Sequence, residues 1–482
     1  MTPTPDVTLA AIAAREGRDL RAPGRVTVCV QGLGFVGFAM AVAVADAADA
    51  EGRPWFNVIG VDLPTPEGTA KVRAINEGRA PVVSNDGELA AAFARAMERG
   101  NLLATTDPAA YSLAGVTLVD VHLDVIDDNG RPGFRLDGFR AAIRTLGERM
   151  PPGSLVIVET TVPPGTCARV AAPELASALA ARGLPHDAVL LAHSYERVMP
   201  GREYFRSIVN FWRVYAGHTG AAADACEAFL SKVINAREYP LRRLSSTTAS
   251  ETAKVLENSY RAATIAFIDE WGRFAEMAGI DLFEVIEAIR VRPTHSNMRQ
   301  PGFGVGGYCL TKDPLFAAAA SRELFGCEVP FPFSMQAVAV NRRMPVYALD
   351  RVRSLLGGTL AGRRILLLGV SYRSDVGDTR HSPSEIFVRA AKAEGAKVTA
   401  HDPLVGFWPE MNCEVAAELP AAGGFDAVVF AVAHDEYRAL DVERWLDAAR
   451  PLVFDANNVL TAAQRTAARG LGCRVAAIGR GD

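Results

Sequence analysis

Three glycines between an apolar strand and a helix constrain the fold of this chain more than any other feature. Residues 25–30 (RVTVCV) predict a buried strand, and residues 38–47 predict a helix. Gly32 permits a tight turn between them, Gly34 lets a ligand approach the backbone, and Gly37 allows the helix to pack closely on the strand. The helix amides at this turn would face a bound anion. The pattern predicts a βαβ unit whose first turn binds phosphate.

A carboxylate follows at the position where such a unit selects its nucleotide. The second predicted strand, residues 57–62, ends in Asp62, 25 residues after Gly37. A carboxylate there binds a ribose 2′-hydroxyl and disfavours a 2′-phosphate. A plain glycine-rich turn is the alternative, but the order of strand, turn, helix, strand and acid favours NAD binding. The residues predicted from this unit to bind the cofactor are Gly32, Gly34, Phe35, Val36, Gly37 and Asp62.

Strands and helices alternate at both ends of the chain, whereas the middle is helical. Residues 246–278 have almost no Gly or Pro and predict one long helix that ends at Gly279. After about residue 361 the alternation returns, with residues 452–455 as the last core strand. We predict an α/β fold of two Rossmann-like, doubly wound parallel-sheet domains, joined by a central helical region. The predicted parts are an N-terminal extension (1–24), an NAD-binding domain (25–240), a central helical region (241–345) and a second Rossmann-like domain (346–482).

Composition excludes several classes of protein. The chain has 482 residues, a net charge of −4 and 49% hydrophobic residues, so it is not a generic nucleic-acid binder or a disordered chain. Its seven cysteines form no CxxC or Cys/His cluster, so no disulfide framework or metal site is predicted. There is no apolar run of signal-peptide or membrane-span length. We expect a soluble, cytoplasmic protein with no membrane partner.

Residues 301–314 (PGFGVGGYCLTKDP) place a cysteine in a glycine-rich segment. The glycines let backbone approach a ligand, and they present Cys309 on a loop before a helix predicted at about 314–325. Amide donors and Lys312 would favour the nucleophilic thiolate. A buried small cysteine is the equally plausible alternative.

Three further segments carry polar side chains at positions where α/β enzymes bind ligands. Lys254 and Asn258 are four residues apart in the long helix, hence on one face, although a solvated helix face also explains such a pattern. Thr161 follows the predicted strand 155–159, at the strand end where ligands sit. Glu196 and Arg197 follow another strand, where a loop salt bridge is the simpler interpretation.

Together these segments resemble the nucleotide-sugar 6-dehydrogenase family, the UDP-glucose/GDP-mannose dehydrogenases. The resemblance covers nearly the whole chain from about Arg25, and GGYCLTKDP with ETAKVLEN is its most specific part. Segments 75–81 (INEGRAP), 341–345 (NRRMP) and 369–383 (GVSYRSDVGDTRHSP) also fit. Within the family the chain is most similar to UDP-N-acetylhexosamine and UDP-glucose 6-dehydrogenases.

The resemblance implies a four-electron oxidation of a sugar C6 alcohol to a carboxylate with two NAD. Cys309 would attack the intermediate aldehyde to give a thiohemiacetal, whose oxidation yields a thioester. Lys254 and Asn258 would stabilise oxyanion character at C6.

The remaining catalytic roles also follow from the resemblance. Asp313 would assist proton transfer with a water, and Glu196 would act as base toward water in thioester hydrolysis. Thr161 would position that water, and it also counts among the cofactor-binding residues. The predicted catalytic residues are Cys309, Lys254, Asn258, Asp313, Glu196 and Thr161.

The resemblance further implies how the substrate and a partner subunit bind. The second Rossmann-like domain would hold the nucleotide of a UDP-sugar, and the long helix would build a homodimer or a higher homo-oligomer. Arg292 and Arg299 are candidates for an arginine that reaches the pyrophosphate held by the partner subunit. The predicted substrate-binding residues are Glu196, Arg197, Lys254, Asn258, Phe303, Gly306, Tyr308, Arg373 and Arg380.

Two segments depart from the family pattern, and the substrate markers are mixed. Residues 119–125 (VDVHLDV) stand where the family usually has a Pro-Thr-Pro turn, and Arg373 stands where it often has lysine. Residues 196–201 (ERVMPG) resemble the UDP-N-acetylhexosamine enzymes, whereas 307–313 (GYCLTKD) resembles the UDP-glucose enzymes.

We therefore predict an NAD-dependent UDP-sugar 6-dehydrogenase for polysaccharide or glycoconjugate synthesis, with a UDP-N-acetylhexosamine favoured over UDP-glucose. A two-electron hydroxyacid dehydrogenase and a catalytically silent nucleotide-sugar binding protein are the alternatives.

Overall fold

This computed structural model describes Thr8 and residues 24–128, 131–199 and 201–481, so nearly all of the predicted N-terminal extension lies outside the described residues. The chain divides into two compact units. The first contains the described residues up to 255 together with 316–330, and the second contains 256–315 and the residues from 331 onward. The domain boundaries at residues 240 and 345 stay predictions.

The first unit contains an eight-stranded sheet in the order β10-β9-β8-β7-β4-β1-β2-β3 and a separate β5–β6 hairpin. The sheet is parallel except for the β8–β9 pair. Successive β1 residues alternate between two core clusters, with Val28 and Val30 in one and Cys29 in the other. The sheet is therefore buried on both faces, as its β-branched strands predict. Its strands and those of the hairpin are β1 (Val26–Gln31), β2 (Phe56–Val61), β3 (Leu102–Thr105), β4 (Val116–Val119), β5 (Val125–Asp128), β6 (Arg131–Phe134), β7 (Leu155–Val158), β8 (Leu190–His193), β9 (Val214–Gly217) and β10 (Arg242–Arg243).

Helices connect these strands. Many of them begin at side-chain caps: Thr65, Asp86 and Thr219 each accept a hydrogen bond from an amide of the first turn. The helices are α1 (Phe35–Asp46), α2 (Pro66–Asn76), α3 (Gly87–Arg99), α4 (Asp137–Arg149), α5 (Ala172–Ala181), α6 (Arg206–Val209) and α7 (Gly220–Val233).

Three long helices make up most of the middle of the chain. Helix α8 (Thr247–Ala278) confirms the predicted long helix, and Gly279 ends it at a φ of +71°. It is followed by α9 (Leu282–Arg290), α10 (Tyr308–Glu323) and α11 (Pro332–Leu355). The helix predicted at about 314–325 thus begins six residues earlier, at Tyr308. Pro314 lies inside this helix rather than at its start.

The second unit contains a five-stranded parallel sheet in the order β12-β11-β15-β16-β17, with apolar clusters on both faces, and a β13–β14 hairpin. The prediction that residues 452–455 form the last core strand is wrong, because β17 follows them. The strands are β11 (Arg364–Leu368), β12 (Lys397–His401), β13 (Phe407–Trp408), β14 (Cys413–Glu414), β15 (Ala427–Phe430), β16 (Leu452–Asp455) and β17 (Val475–Ala477). The helices are α12 (Pro383–Ala393), α13 (Asp435–Arg438), α14 (Val442–Leu446) and α15 (Ala462–Gly470).

Each unit thus carries one doubly wound sheet, which confirms the predicted fold class. Among the described helices, none combines the length and apolar character that a membrane crossing requires.

Candidate active site

The predicted glycine turn joins β1 to α1 as the sequence indicates. Gly32 has a φ of +96°, which favours glycine, and a Cβ on Gly37 would lie 1.8 Å from the Gly32 carbonyl oxygen. Among the described residues, no atom lies within 4 Å of the position that a Cβ on Gly34 would take, so the backbone is open toward them there. Within the described chain, no side chain caps the first turn of α1, where Phe35 and Val36 are half-buried. The N-terminus of this helix is therefore a position that favours an anion.

Asp62 follows β2 and is hydrogen-bonded to the same turn. Its carboxylate accepts the amide of Leu33 at 3.1 Å and that of Leu63 at 2.7 Å, and it lies 3.6 Å from the Lys71 ammonium. An acid so placed at the end of the second strand fits the ribose-binding position of a dinucleotide fold. The open Gly34 and uncapped helix therefore form a cradle that fits the pyrophosphate of a dinucleotide.

Lys254 and Glu196 form an ion pair in the first unit. The Lys254 ammonium lies 3.6 Å from the Glu196 carboxylate and donates to the Glu196 carbonyl at 3.3 Å. Both side chains are buried, with 8% of Lys254 and 7% of Glu196 exposed. The alternative interpretation, that Lys254 lies on a solvated helix face, is therefore wrong. Glu196 does form a salt bridge, as the simpler interpretation expected, but its partner is Lys254, a predicted catalytic residue.

Tyr195 and Arg197 flank this ion pair. The Tyr195 ring centroid lies 5.4 Å from the Lys254 ammonium and 4.9 Å from the Arg197 guanidinium carbon. Arg197 also lies 5.5 Å from the Phe211 ring centroid. The two cations of the predicted site thus share one buried aromatic ring, at cation–π distances.

A second buried charge cluster lies at the carboxyl ends of β4, β7 and β8. The Arg213 guanidinium, which is fully buried, pairs with the equally buried Glu159 and donates to Ser194. Burial raises the pKa of Glu159 to about 7, although Arg213 acts against the rise. Asp120, which follows β4, lies in the same cluster, and burial with the charges of Glu159 and Glu196 raises its pKa well above the usual range. This edge of the sheet therefore holds one cation and two carboxyl groups away from water.

Glu251 connects α8 to the loop that follows Thr161. Its carboxylate accepts the amides of Gly165 at 2.6 Å and Cys167 at 2.7 Å, and the residue is 1% exposed. Glu251 lies one turn before Lys254, and Thr161 is half-buried just past β7. The loop and the helix are thus held together by a buried carboxylate.

Cys309 lies in the second unit, in the first turn of α10 rather than on a loop before the helix as predicted. It is exposed, so the alternative of a buried structural cysteine is wrong. A helix N-terminus stabilises negative charge on such a side chain.

One turn after Cys309, Asp313 is fully buried and hydrogen-bonded from two sides. It accepts the Asn258 side-chain amide at 2.8 Å, and the Lys312 ammonium at 2.9 Å. The structure thus brings three of the predicted catalytic residues, Cys309, Asp313 and Asn258, onto neighbouring turns of α10 and α8 within one unit. Asn258 is 2% exposed, which again excludes a solvated face.

Two of the glycines before Cys309 make room for another loop of the chain. A Cβ on Gly306 would lie 2.5 Å from the His381 carbonyl and 2.7 Å from Tyr372, and the Gly307 position is filled by the Tyr372 ring. The chain's own 369–383 loop therefore fills the space beside Gly306 and Gly307. Ligand contact by Gly306 stays a prediction.

The other predicted substrate residues lie around this loop. Phe303 is buried against Phe387 at a centroid distance of 5.6 Å and lines a cavity of about 60 Å³, together with exposed Arg373. Arg380 makes a two-point ion pair with Asp378, and its guanidinium lies 5.0 Å from the Tyr308 ring centroid.

Sequence reasoning gave no role to five residues that the structure places in these clusters. Glu159 and Tyr195 adjoin predicted residues, and Glu251 opens the same segment as Lys254, so their position next to motifs was the available signal. Arg213 and Asp120 carried no comparable signal.

Models for three domains of one protein family match the chain. The NAD binding domain of the UDP-glucose/GDP-mannose dehydrogenase family matches residues 26–233, the central domain residues 248–343, and the UDP binding domain residues 366–462.

Individual proteins agree with this match. A UDP-N-acetyl-D-mannosamine dehydrogenase from Methanocaldococcus jannaschii is 28% identical over 440 residues, which are 90% of this chain and 92% of that protein. An NDP-N-acetyl-D-galactosaminuronic acid dehydrogenase from Ralstonia nicotianae is 29% identical over 435 residues, covering 87% and 93%. The solved structure of a UDP-D-ManNAc dehydrogenase from Pyrococcus horikoshii is similar at a TM-score of 0.78 and 27% identity, over 95% of this chain and all of that one.

The double Rossmann fold and its dinucleotide cradle define a nicotinamide-dependent oxidoreductase. More narrowly, the matched domains span most of the sequence, and the chain belongs to the UDP-glucose/GDP-mannose dehydrogenase family. The resemblance found in the sequence is confirmed, and the protein is an NAD-dependent dehydrogenase of nucleotide sugars.

Proposed function

We propose that this enzyme oxidises the C6 alcohol of a UDP-N-acetylhexosamine to the carboxylate through a covalent bond to Cys309. The observation that carries the proposal is the exposed Cys309 in the first turn of α10, one turn before the hydrogen-bonded Asp313 and Asn258. A thiol retains the aldehyde between two oxidations, which a two-electron dehydrogenase does not need.

The proposed reaction has four steps. The C6 alcohol loses a hydride and a proton to become an aldehyde. The Cys309 sulfur adds to that aldehyde, and its carbonyl oxygen takes a proton, which gives a thiohemiacetal. Loss of a second hydride and a proton gives a thioester. Water then attacks the thioester carbonyl, and the C–S bond breaks to release the carboxylate and the thiol.

The side chains of α8 would stabilise the charge that develops at C6. The Lys254 ammonium and the Asn258 amide are donors suited to an oxyanion, and both are buried, where such donors act most strongly. Asp313 would hold Asn258 in place and take part in proton transfer.

Two residues past strand ends would handle water. Glu196, which is ion-paired with Lys254, would remove a proton from the hydrolytic water, and Thr161 would position that water.

The cofactor would be held by the cradle at Gly32, Gly34 and Gly37 and by the carboxylate of Asp62. NAD bound there supplies the acceptor for each hydride. Asp62 favours a free ribose 2′-hydroxyl, so we propose NAD rather than NADP.

The preference for an N-acetylhexosamine is supported by two independent observations. The segment 196–201 is similar to enzymes with such substrates, and the relatives from M. jannaschii and R. nicotianae are both named for N-acetylated hexosamine substrates or products. UDP-glucose is the second candidate, because 307–313 is similar to enzymes that act on it.

The nucleotide would bind in the second unit, as its match to a UDP binding domain suggests. The cavity lined by Phe303 and Arg373 adjoins the carboxyl ends of β11 and β15, the position where open α/β sheets bind ligands. Arg373 would attract the diphosphate.

NADH formation tests the proposal. The enzyme is incubated with NAD and one of UDP-N-acetylmannosamine, UDP-N-acetylgalactosamine, UDP-glucose or GDP-mannose, and NADH and uronic acid are quantified. Two NADH for each acid formed, with the highest kcat/KM for an N-acetylhexosamine, is the expected result. One NADH per sugar would favour a two-electron dehydrogenase, and binding without NADH would favour a silent binding protein.

We further propose that α8 forms a homodimer contact. Its part in the second unit exposes a row of large apolar side chains, with Met277 80% exposed. Such a row marks a protein interface. The mass of one chain is 51.4 kDa, and light scattering on the purified protein should give twice that mass or a higher multiple. The row consists of Leu256, Tyr260, Phe267, Trp271, Phe274 and Met277.

The partner arginines and the cytoplasmic location stay predictions. Arg299 is half-buried, and burial together with Arg261 and Arg290 lowers its pKa, so this group of cations is suited to an anion. Arg292 is exposed just before the 3₁₀ turn 293–295.

A further inference from the structure

The ring of Tyr195 lies where the two cations of the first unit meet. Tyr195 follows β8 and is 2% exposed, so its ring is fixed by packing. Its centroid is 5.4 Å from the Lys254 ammonium and 4.9 Å from the guanidinium carbon of Arg197. Both distances fall within the range of a cation–π attraction.

The Lys254 ammonium also has two contacts with Glu196, and both are long. It lies 3.3 Å from the Glu196 carbonyl oxygen and 3.6 Å from the Glu196 carboxylate. Distances above about 3.2 Å are beyond the usual range of a strong N–H···O hydrogen bond. Because Lys254 is only 8% exposed, water screens the attraction between the ring and the ammonium very little.

We propose that Tyr195 is a positioning residue for the oxidation, whose ring keeps the Lys254 ammonium charged and in place and also orients Arg197. This inference rests on the proposed function, which assigns oxyanion stabilisation to Lys254 and substrate binding to Arg197. The negative face of the ring supplies the attraction to Lys254, which does not require the hydroxyl group, whereas the Tyr195 hydroxyl also lies 3.4 Å from an Arg197 guanidinium nitrogen.

Among the described residues, Glu196, Arg197 and His193 are charged or titratable groups close to Lys254. Glu196 lies on the loop after β8, and Arg197 lies beyond the shared ring. His193 at the end of β8 donates to or accepts from Ser250 at 2.8 Å, and burial with Arg213 and Lys254 lowers its pKa to about 3. His193 is therefore neutral and adds no charge near Lys254 at ordinary pH.

A series of substitutions separates the ring electronics from packing. Tyr195→Phe keeps the ring, incorporation of 3,4,5-trifluorophenylalanine at position 195 keeps the shape but removes the negative face, and Tyr195→Leu removes the ring. For each protein we would measure kcat and KM for NAD and the nucleotide sugar, the pH profile of kcat, and the thermal midpoint. The fluorinated variant keeps the test decisive if the leucine variant does not fold.

The proposal expects a graded loss. Tyr195→Phe should keep kcat within about twofold, whereas the trifluorinated and leucine variants should lose about 3- to 30-fold, the range of a partly desolvated cation–π contact. The high-pH limb of kcat should move to lower pH in the same order, because the ammonium loses stabilisation. KM for NAD should not change. Equal kcat and pH profiles for the Phe and trifluorinated proteins would overturn the proposal, as would a loss in Tyr195→Phe equal to that in Tyr195→Leu.

Phe211→Leu is the matched control. It removes the second ring near Arg197 and leaves the contact with Lys254 intact, so KM for the nucleotide sugar should rise without a shift in the pH profile of kcat. If the wild-type enzyme forms no NADH with any nucleotide sugar, the proposed function fails. Acetylation of Lys254, followed by peptide mass spectrometry, then decides the ring's role. It should be faster in the trifluorinated protein than in Tyr195→Phe, and equal rates would refute the contact.

Discussion

Replacing Glu251 with glutamine should flatten the dependence of the protein's stability on pH. The Glu251 carboxylate is 1% exposed and accepts the amides of Gly165 and Cys167. These hydrogen bonds lower its pKa, but burial has the larger effect and raises the pKa from 4.5 to about 7. The folded protein therefore holds this proton more tightly than the unfolded chain.

The size of the effect follows from the two pKa values. Below pH 4.5 the carboxyl is protonated in both states, and its contribution to stability is complete. As the pH rises toward 7, the unfolded chain ionises first, so the free energy of unfolding falls. At ~1.4 kcal/mol for each pH unit between the two values, ionisation of Glu251 lowers the free energy of unfolding by about 3 kcal/mol above pH 7.

Urea unfolding followed by circular dichroism at pH 5 and pH 8 measures this difference. The wild-type protein should lose about 2.5 kcal/mol more than Glu251→Gln between the two pH values, because the unfolded carboxyl is already partly ionised at pH 5. The buried Glu159 has the same sign of effect, but it is present in both proteins and cancels in the comparison. Glu270→Gln, at an exposed position of the same helix, should behave like the wild type. An equal pH dependence in wild type and Glu251→Gln would refute the reasoning.

Three further changes test the other parts of the site. Cys309→Ala should form no uronic acid with the preferred nucleotide sugar, and acid formation at the wild-type rate would exclude the covalent step. Gly37→Ala should lower both the thermal midpoint and NAD affinity, since its Cβ would lie 1.8 Å from the Gly32 carbonyl, whereas Gly34→Ala should lower NAD affinity alone; NAD titrations with equal affinities in all three proteins would contradict this. Arg213→Met should lower the free energy of unfolding by ~3–5 kcal/mol, because it leaves Glu159 buried without its cation. Adding Glu159→Gln should restore most of that loss, and an unchanged free energy of unfolding in Arg213→Met would show that the ion pair does not stabilise the fold.

Local patterns predicted the elements that local forces determine. The long helix was predictable because residues 246–278 contain almost no helix breakers, and the dinucleotide turn because glycine spacing directly reflects backbone geometry. Strand β17 was missed because three residues after the Gly470 and Gly472 turn are too few to show a pattern. Its strand character depends on pairing with β16, which is a tertiary effect.

The same limit applies to the candidate site. The sequence identified Cys309, Lys254 and Asn258 through the family motif, but the burial of Lys254 and Asn258 was not readable, since polar residues at helical spacing usually face water. The contact between Glu251 and Gly165 joins residues 86 positions apart, and no local rule anticipates it. The cation pair around Tyr195 likewise arises only when the loop after β8 packs against α8.

The departure from the family at residues 119–125 is compatible with dinucleotide binding, because the acid in this segment, Asp120, has a raised pKa. This residue follows β4 beside the cradle, and a Cβ on Gly32 would lie 2.7 Å from its carbonyl oxygen. Both carboxyl oxygens are buried, and among the described residues neither has a hydrogen-bond partner. Burial, reinforced by the negative charges of Glu159 and Glu196, raises the pKa of Asp120 well above its usual range. A raised pKa weakens the repulsion of Asp120 toward a pyrophosphate at Gly34, so the presence of this acid is not an argument for a silent binding protein.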